Sequence, residues 1–205
     1  MISLTDLSRQ LHIEIDRSTA ALRHIADMID ASIVPSPTMV EVPYRSQHDD
    51  DARISRSDCG PACIAMLLEW HGVRVTIDDI SRATSMGATN AGQLIAAAGR
   101  YGVQLKRFAP MSLTDLEELI NHGRPPIALI KYGDLGDHRQ DMNYTGLHWI
   151  VVVGYDKGNI YINDPNYWGA RRQEGKGLVV SRATFDHAWG DTLPDAMSRQ
   201  ALVVS

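Results

Sequence analysis

The chain has 205 residues, and 44% of them are hydrophobic, which is enough to bury one sizeable core with a short appendage. Its 20 basic residues against 25 acidic residues give a formal net charge of -5. This balance offers no broad basic surface, so we expect neither a nucleic acid nor an anionic membrane surface as a partner. No apolar stretch approaches the ~20 residues that cross a bilayer, and charges interrupt the apolar positions at the start, unlike a signal peptide. We therefore expect a soluble protein without a membrane span or a signal peptide.

Residues 1–36 are predicted to form a unit of their own, a long amphipathic helix followed by a linker. Ser3 and Asp6 have the spacing of a helix capping box, so the helix should begin there and end near Ser32. Leucine or isoleucine recurs every three or four residues, except where Ser18 takes one place, at Leu4, Leu7, Leu11, Ile15, Leu22, Ile25 and Ile29. This apolar stripe could pack on the protein's own domain, or it could join a homo-oligomer or a larger protein assembly. Both interpretations stay open.

Three prolines, Pro35, Pro37 and Pro43, mark an extended connector, and residues 37–205 are expected to form one compact domain. Helical spacing comes first in this domain, over residues 60–70, 77–83, 89–101 and 112–121. Segments rich in β-branched residues follow, over residues 125–132, 148–156, 159–165 and 200–205. The order predicts an α+β fold with its helices segregated from an antiparallel sheet.

The two cysteines, Cys59 and Cys63, lie one helical turn apart, a spacing that does not suit a disulfide, so both are interpreted as thiols. Cys59 stands at a predicted helix start, where free N–H groups and the helix dipole favour a thiolate. Gly60 would let the backbone approach a substrate closely, and Pro61 is tolerated in a first helical turn. Cys63 lies among apolar residues and is predicted to be an inert core residue. Cys59 is therefore the candidate nucleophile.

A cysteine nucleophile needs a histidine to take its proton and a third group to orient that histidine. Among eight histidines, His148 is favoured because it begins an apolar strand that would hold its ring rigidly. Asp164 ends the next predicted strand, which would set a carboxylate at the edge of the neighbouring strand, close to the imidazole. By itself, the sequence Asn-Asp-Pro indicates only a turn.

Two metal sites compete with this interpretation. Cys59, Cys63, His71 and His148 have the ligand types of a structural zinc site, but such sites normally organise small domains that lack a core. The three aspartates at 49–51 lack the alternating ligands and the fixed glycine of a calcium loop. We expect them to form a solvated acidic loop, and we predict no metal and no cofactor.

Four blocks in a fixed order resemble a known family. VPYRSQ, DCGPACIAMLL, GLHWIVVVGYD and IYINDP, with G.T....L..A...YGV between the second and the third, resemble the papain-like cysteine peptidases of the bacteriocin-processing (double-glycine leader) peptidase superfamily. The resemblance spans roughly residues 39–190. It implies a papain-like fold, with helices packed on an antiparallel sheet and preceded here by the long N-terminal helix. It also implies a thiol protease with Cys59 as nucleophile, His148 as general base, Asp164 as orienting acid and Gln47 as oxyanion-hole donor.

The resemblance leaves the substrate open. Members that remove double-glycine leaders are usually fused to a membrane exporter, and this sequence has neither membrane-spanning segments nor a phosphate-binding loop of the GxxxxGKS type. Stand-alone relatives include cell-wall-degrading enzymes, some of them in phage lysins or phage tail tips. Our first expectation is therefore a peptidase that cuts the peptides of peptidoglycan, either cytoplasmic or part of a virion or secreted assembly.

Two alternatives remain beside the cell-wall peptidase. The first is a processing peptidase for double-glycine leader peptides, and the second is an inactive module that binds peptides or builds an assembly. The segment of residues 131–149 carries three aromatic residues and is expected to border the cleft. Tyr144 and Trp149 are the candidate substrate-binding residues, although ordinary rim or core aromatic residues would give the same pattern.

Overall fold

The computed structural model describes residues 4–32, 36–53, 57–84, 86–191 and 193–205. Packing contacts divide the chain into two units, Met1–Ser36 and Pro37–Ser205. Two residues named above, Ser3 of the predicted helix cap and Pro35 of the connector, lie outside the described residues.

The first unit contains one long helix, α1 (Leu4–Ser32), as predicted. The described side chains of its apolar stripe are exposed, for example Leu11 at 62% and Leu22 at 67%. No helix in the described ranges, α1 included, combines the length and the apolar character that a membrane span requires. A role for the stripe in an oligomer or an assembly stays a prediction.

The second unit is built of short helices and one antiparallel sheet. Its helices are α2 (Cys59–Trp70), α3 (Ile77–Ala83), α4 (Ala91–Gly99), α5 (Leu113–Asn121) and α6 (Arg182–Asp186). Its strands are β1 (Thr38–Met39), β2 (Leu105–Phe108), β3 (Ile127–Lys131), β4 (Leu147–Tyr155), β5 (Asn159–Asn163), β6 (Leu178–Ser181) and β7 (Ala201–Val204). The main sheet has the order β2-β7-β3-β4-β5-β6, and β1 pairs with β4. The predicted α+β fold is confirmed.

Both faces of the sheet are buried, which explains why β4 has a nearly continuous apolar sequence. On one face, Trp149 and Val151 of β4 pack in the same cluster as Ile64 and Leu67 of α2. On the other face, Ile150 and its neighbours pack with α5 and with two large, fully buried aromatic residues, Phe185 and Trp189. The sheet therefore forms the centre of the domain, with the helix that begins at Cys59 on one side.

Helix starts follow their capping sequences. The side chain of Asn90 accepts a hydrogen bond from the backbone N–H of Gln93, and the Gln93 side chain accepts one from the backbone of Asn90. Ser112 and Asp115 form the same reciprocal pair at the start of α5. The helix predicted over 89–101 is consequently α4, which is shorter and begins at Ala91.

Candidate active site

Cys59 is the first residue of α2 and is half-buried. The residue before it, Asp58, is fully buried and accepts a hydrogen bond of 2.6 Å from the Ser81 hydroxyl, which fixes the start of the helix against α3. Gly60 is required on packing grounds, because a Cβ built there would lie 2.2 Å from the Thr89 Oγ1 atom. The turn that carries the thiol is therefore held tightly by its neighbours.

His148 lies near the start of β4, with its side chain buried. Its Nε2 atom lies 2.6 Å from Oδ1 of Asp164, which follows β5 and is also fully buried. The same carboxylate oxygen accepts the backbone N–H of Asn166. The ring of Tyr132 meets the imidazole edge-on at 4.7 Å between centroids. The imidazole also interacts with the Cys59 side chain, and because Nε2 is engaged by Asp164, Nδ1 is the ring nitrogen that remains for the sulfur.

The charge on His148 is controlled by its two partners. Burial alone lowers the pKa of this imidazole, but the Asp164 carboxylate and the hydrogen bond with Cys59 outweigh burial and raise the pKa to about 10. The ring is therefore a cation at neutral pH. The site therefore places a cation beside the candidate nucleophile, an arrangement that suits nucleophilic catalysis by a cysteine.

Gln47 lines the same cleft as Cys59 and is 7% exposed. Its backbone N–H donates to the Pro165 carbonyl at 2.9 Å, so it is tied to the turn directly after Asp164. The neighbouring Ser46 is fully buried, and its hydroxyl donates to the Tyr167 carbonyl at 2.6 Å. The structure thus brings all four predicted catalytic residues to one place.

The expectation of a solvated acidic loop is wrong for two of the three aspartates. Asp49 receives two hydrogen bonds from the Arg172 guanidinium, at 2.6 and 2.7 Å, and Arg45 forms ion pairs with both Asp51 and Glu69. Burial raises the pKa of Asp49, but the hydrogen bonds from Arg172 and from the Ser46 backbone, together with the charges of Arg172 and Arg45, outweigh burial, and the net shift is downward. These ion pairs anchor the segment that carries Gln47 to α2 and to the segment after β5.

The four residues proposed as an alternative zinc site do not all come together. Cys59 begins α2, whereas His71 caps the opposite end of that helix. Cys63 is fully buried in the core, and burial raises the pKa of its thiol well above the ordinary value. Across the described ranges, no group of three or more His, Cys, Asp or Glu side chains is arranged to hold a metal ion.

The cleft has a volume of about 1320 Å³. Five of the six residues predicted to act on or to bind a substrate line the cleft: Gln47, Cys59, Tyr144, His148 and Trp149. The sixth, Asp164, is buried behind His148. One wall is the β3–β4 loop, residues 132–146. This loop is joined to the segment after Asp164 by a reciprocal pair, in which the Gln140 amide donates to the Trp168 carbonyl and accepts the Trp168 backbone N–H.

The two candidate substrate-binding residues occupy different depths of the cleft. Tyr144 is 41% exposed at the rim, and its hydroxyl donates to the Leu147 carbonyl at 2.6 Å. Trp149 is 2% exposed on the floor, and its indole N–H donates to the Thr89 carbonyl at 3.0 Å. Contact of either residue with a substrate stays a prediction.

Several residues of the site were not identified from the sequence. Trp168 lines the cleft three positions after Pro165, and an aromatic residue that closely follows the turn with Asp164 is a signal that could have suggested it. The sequence indicates Thr89 only as the first residue of the helix predicted over 89–101. Arg107 lies on a strand that was not predicted. Nothing in the local sequence of Tyr132 indicates that its ring packs on His148.

The fold and this cleft define a papain-like cysteine peptidase. A model of the Peptidase_C39 like family matches residues 39–196, more than half of the chain. The chain therefore belongs to this family, as its four sequence blocks predicted.

Among curated proteins, the chain is similar to the transport/processing ATP-binding protein ComA of Streptococcus pneumoniae, with 30% identity over 118 residues. This match spans 56% of the chain but only 14% of ComA. A solved structure of a putative C39-like peptidase from Bacillus anthracis has a TM-score of 0.64 at 18% identity, and the match covers 83% of this chain and 98% of that chain. The shared feature is the fold.

Two further solved structures have the same fold. One is a double glycine motif protease from an AMS/PCAT transporter, in complex with the leader peptide, with a TM-score of 0.55 at 18% identity over 82% of this chain and 94% of that chain. The other is the peptidase domain of Streptococcus ComA, with a TM-score of 0.53 at 21% identity, and the match covers 74% of this chain and 94% of that chain.

Proposed function

We propose that the chain is a thiol peptidase that cuts leader peptides after a double glycine, with Cys59, His148 and Asp164 as its catalytic residues. The observation that carries the chemistry is the buried contact of 2.6 Å between His148 and Asp164, which leaves Nδ1 of the ring to the Cys59 sulfur. The substrate class is supported by the relatives, one a transport/processing protein and another a double glycine motif protease with a leader peptide. The family match and these relatives do not support the peptidoglycan or phage role expected first.

In the proposed reaction the Cys59 thiolate attacks the carbonyl carbon of the scissile bond, which forms a C–S bond and an oxyanion. The His148 imidazolium gives its Nδ1 proton to the amine nitrogen as the C–N bond breaks, which leaves a thioester on Cys59. Neutral His148 then takes a proton from a water molecule whose oxygen attacks the thioester. The carboxylic acid product leaves, and the thiolate and imidazolium pair is restored. Asp164 holds the ring orientation throughout by accepting the Nε2 proton in a hydrogen bond.

Glycine next to the scissile bond is favoured by the filled floor beside the nucleophile. Thr89 lies so close to Gly60 that residue 60 has no room for a Cβ atom. The backbone carbonyl of Thr89 also accepts a hydrogen bond from the buried indole of Trp149. We infer that the fixed indole and the fixed Thr89, which packs against Gly60 of α2, narrow the cleft beside Cys59 for a substrate side chain. Glycine needs no such volume.

We predict that a peptide with Gly-Gly before the scissile bond is cleaved after the second glycine. Replacing either glycine by alanine should reduce kcat/KM by about tenfold or more, because one added methyl group must fit a filled site. Mass spectrometry of the products identifies the cleavage site and measures the effect of each alanine. Peptidoglycan fragments are included in the same panel of substrates. Cleavage of peptidoglycan peptides alone would restore the cell-wall interpretation, and binding without cleavage would favour an inactive peptide-binding module.

A second prediction concerns Gln47. Its side-chain amide and the Cys59 backbone N–H are proposed to donate to the oxyanion, so Gln47→Ala should lower kcat by about 10² to 10³. Alkylation of Cys59 by iodoacetamide builds no oxyanion and should keep its wild-type rate in the same variant. Gln47→Glu, which preserves the size but loses the donor, should resemble the alanine variant. Unchanged hydrolysis in both variants would remove Gln47 from the reaction.

A further inference from the structure

The end of the cleft at β2 carries a positive charge. Among the described residues that line the cleft, Arg107 is the one lysine or arginine. It lies on β2, the strand at one edge of the sheet, and its side chain is exposed. A peptide that occupies this end of the cleft therefore meets a guanidinium.

The partners of Arg107 orient the guanidinium without neutralising it. Its Nε atom donates to the Gln200 side chain, and its Nη2 atom donates to the Ala196 carbonyl. Both acceptors are uncharged, and no carboxylate of the described residues forms an ion pair with Arg107, in contrast to Arg45, Arg172 and Arg199. Gln200 is itself fixed, because its backbone carbonyl accepts the Trp189 indole N–H at 2.9 Å. The charge is thus preorganised, and its remaining nitrogen is available to a ligand.

We propose that Arg107 binds a carboxylate of the substrate, so that the peptidase prefers an acidic peptide segment at this end of the cleft. This inference rests on the proposed function. A guanidinium held in a fixed orientation suits a carboxylate, with which it forms charge-assisted hydrogen bonds. The rest of this end of the cleft is largely apolar, with Ile95, Leu129 and Met197 in its lining, and supplies no competing anion.

The sheet order indicates how far from the scissile bond this carboxylate should lie. The catalytic histidine stands on β4, and β2 is three strands away through β3 and β7. Strands are spaced about 4.8 Å apart, so Arg107 lies on a strand roughly 14 Å from that of His148. The strand register places Arg107 level with Val151, three residues or about 10 Å along β4 from His148, so the two positions are about 17 Å apart. An extended peptide advances about 3.3 Å per residue, so the contacted residue should lie about five positions from the scissile bond.

The test uses the full chain and a set of fluorescein-labelled peptides built around a central Gly-Gly. A single glutamate is scanned through every position on both sides of the scissile bond, and each peptide is paired with its glutamine counterpart. We expect kcat/KM to favour glutamate over glutamine by about tenfold at one position, and this preference to disappear in Arg107→Gln. In Arg107→Glu the preference should reverse, so that a peptide with lysine at the same position is cleaved faster than the glutamate peptide. Peptides with free and with amidated C-termini distinguish a side-chain carboxylate from a terminal one.

Lys106→Gln is the matched control, because it removes the same charge from the neighbouring residue of β2. Successive strand residues point to opposite faces, and Lys106 is not among the described residues that line the cleft. This variant should keep the wild-type preference. Equal turnover of every glutamate and glutamine pair, or a preference that survives Arg107→Gln, would overturn the inference while leaving the peptidase activity in place. Binding of the same peptides to Cys59→Ala, measured by fluorescence anisotropy, tests the Arg107 contact even if no peptide is cleaved.

Discussion

Replacing Cys59 by alanine is expected to abolish peptide hydrolysis and to leave the fold intact. The sulfur is the only atom lost, and the helix that begins at this residue is held by packing further along, where Gly60 to Leu68 are buried. Without a nucleophile the reaction should slow by about 10⁴-fold or more, because the remaining groups only bind and polarise the substrate. Single-turnover cleavage of the Gly-Gly peptide measures the loss, and circular dichroism with thermal unfolding checks the fold.

Cys63→Ala provides the matched control for this prediction, since it removes the same atom one helical turn away. Cys63 is fully buried, so the smaller side chain should leave a small cavity and lower the free energy of unfolding by about 1 to 2 kcal/mol. Hydrolysis at a temperature below the unfolding transition should match the wild type. Activity lost in Cys63→Ala but kept in Cys59→Ala would exchange the roles assigned to the two thiols.

The parts of the fold that the sequence predicts well are those whose signal is local. The capping pairs at Asn90 and Ser112 mark two helix starts, because a side chain there satisfies a free backbone N–H within the same turn. The apolar run of β4 marks a central strand, because both faces of the sheet are buried there. His148 could be selected among eight histidines since it borders this run.

The parts that the sequence does not predict depend on distant partners. Strands β2 and β6 lie at the two edges of the sheet and are largely exposed, so neither has the long apolar run that marks β4. Asp49 pairs with the nearby Arg45, but its closest ion pair is with Arg172, more than a hundred residues later in the chain. Tyr132 likewise contacts His148 through the pairing of β3 with β4, and no local pattern encodes that contact.

Asp164→Asn is expected to lower kcat/KM by about 10² or more and to move the alkaline limb of the pH profile to lower pH. Burial by itself lowers the pKa of His148, and the Asp164 carboxylate is the largest of the influences that raise it to about 10. An amide keeps the size of the side chain but removes the charge, so burial would no longer be offset. The imidazolium should then lose its proton, and the ion pair with the thiolate should vanish, well below the pH at which wild-type activity falls.

The same proton links this substitution to stability. The folded protein holds the His148 proton more tightly than the unfolded chain does, because the pKa of His148 is raised from 6.5 to about 10 on folding. The protonated histidine therefore stabilises the fold fully below pH 6.5, and this contribution is lost as the pH rises towards about 10. Urea unfolding measured between pH 6.5 and about 10 should show that the free energy of unfolding of the wild type falls as the pH rises. The fall should be smaller in Asp164→Asn. Asp50→Asn removes an exposed carboxylate and should leave both the pH profile and this decline unchanged. An alkaline limb that stays in place in Asp164→Asn would mean that another group controls the charge on His148.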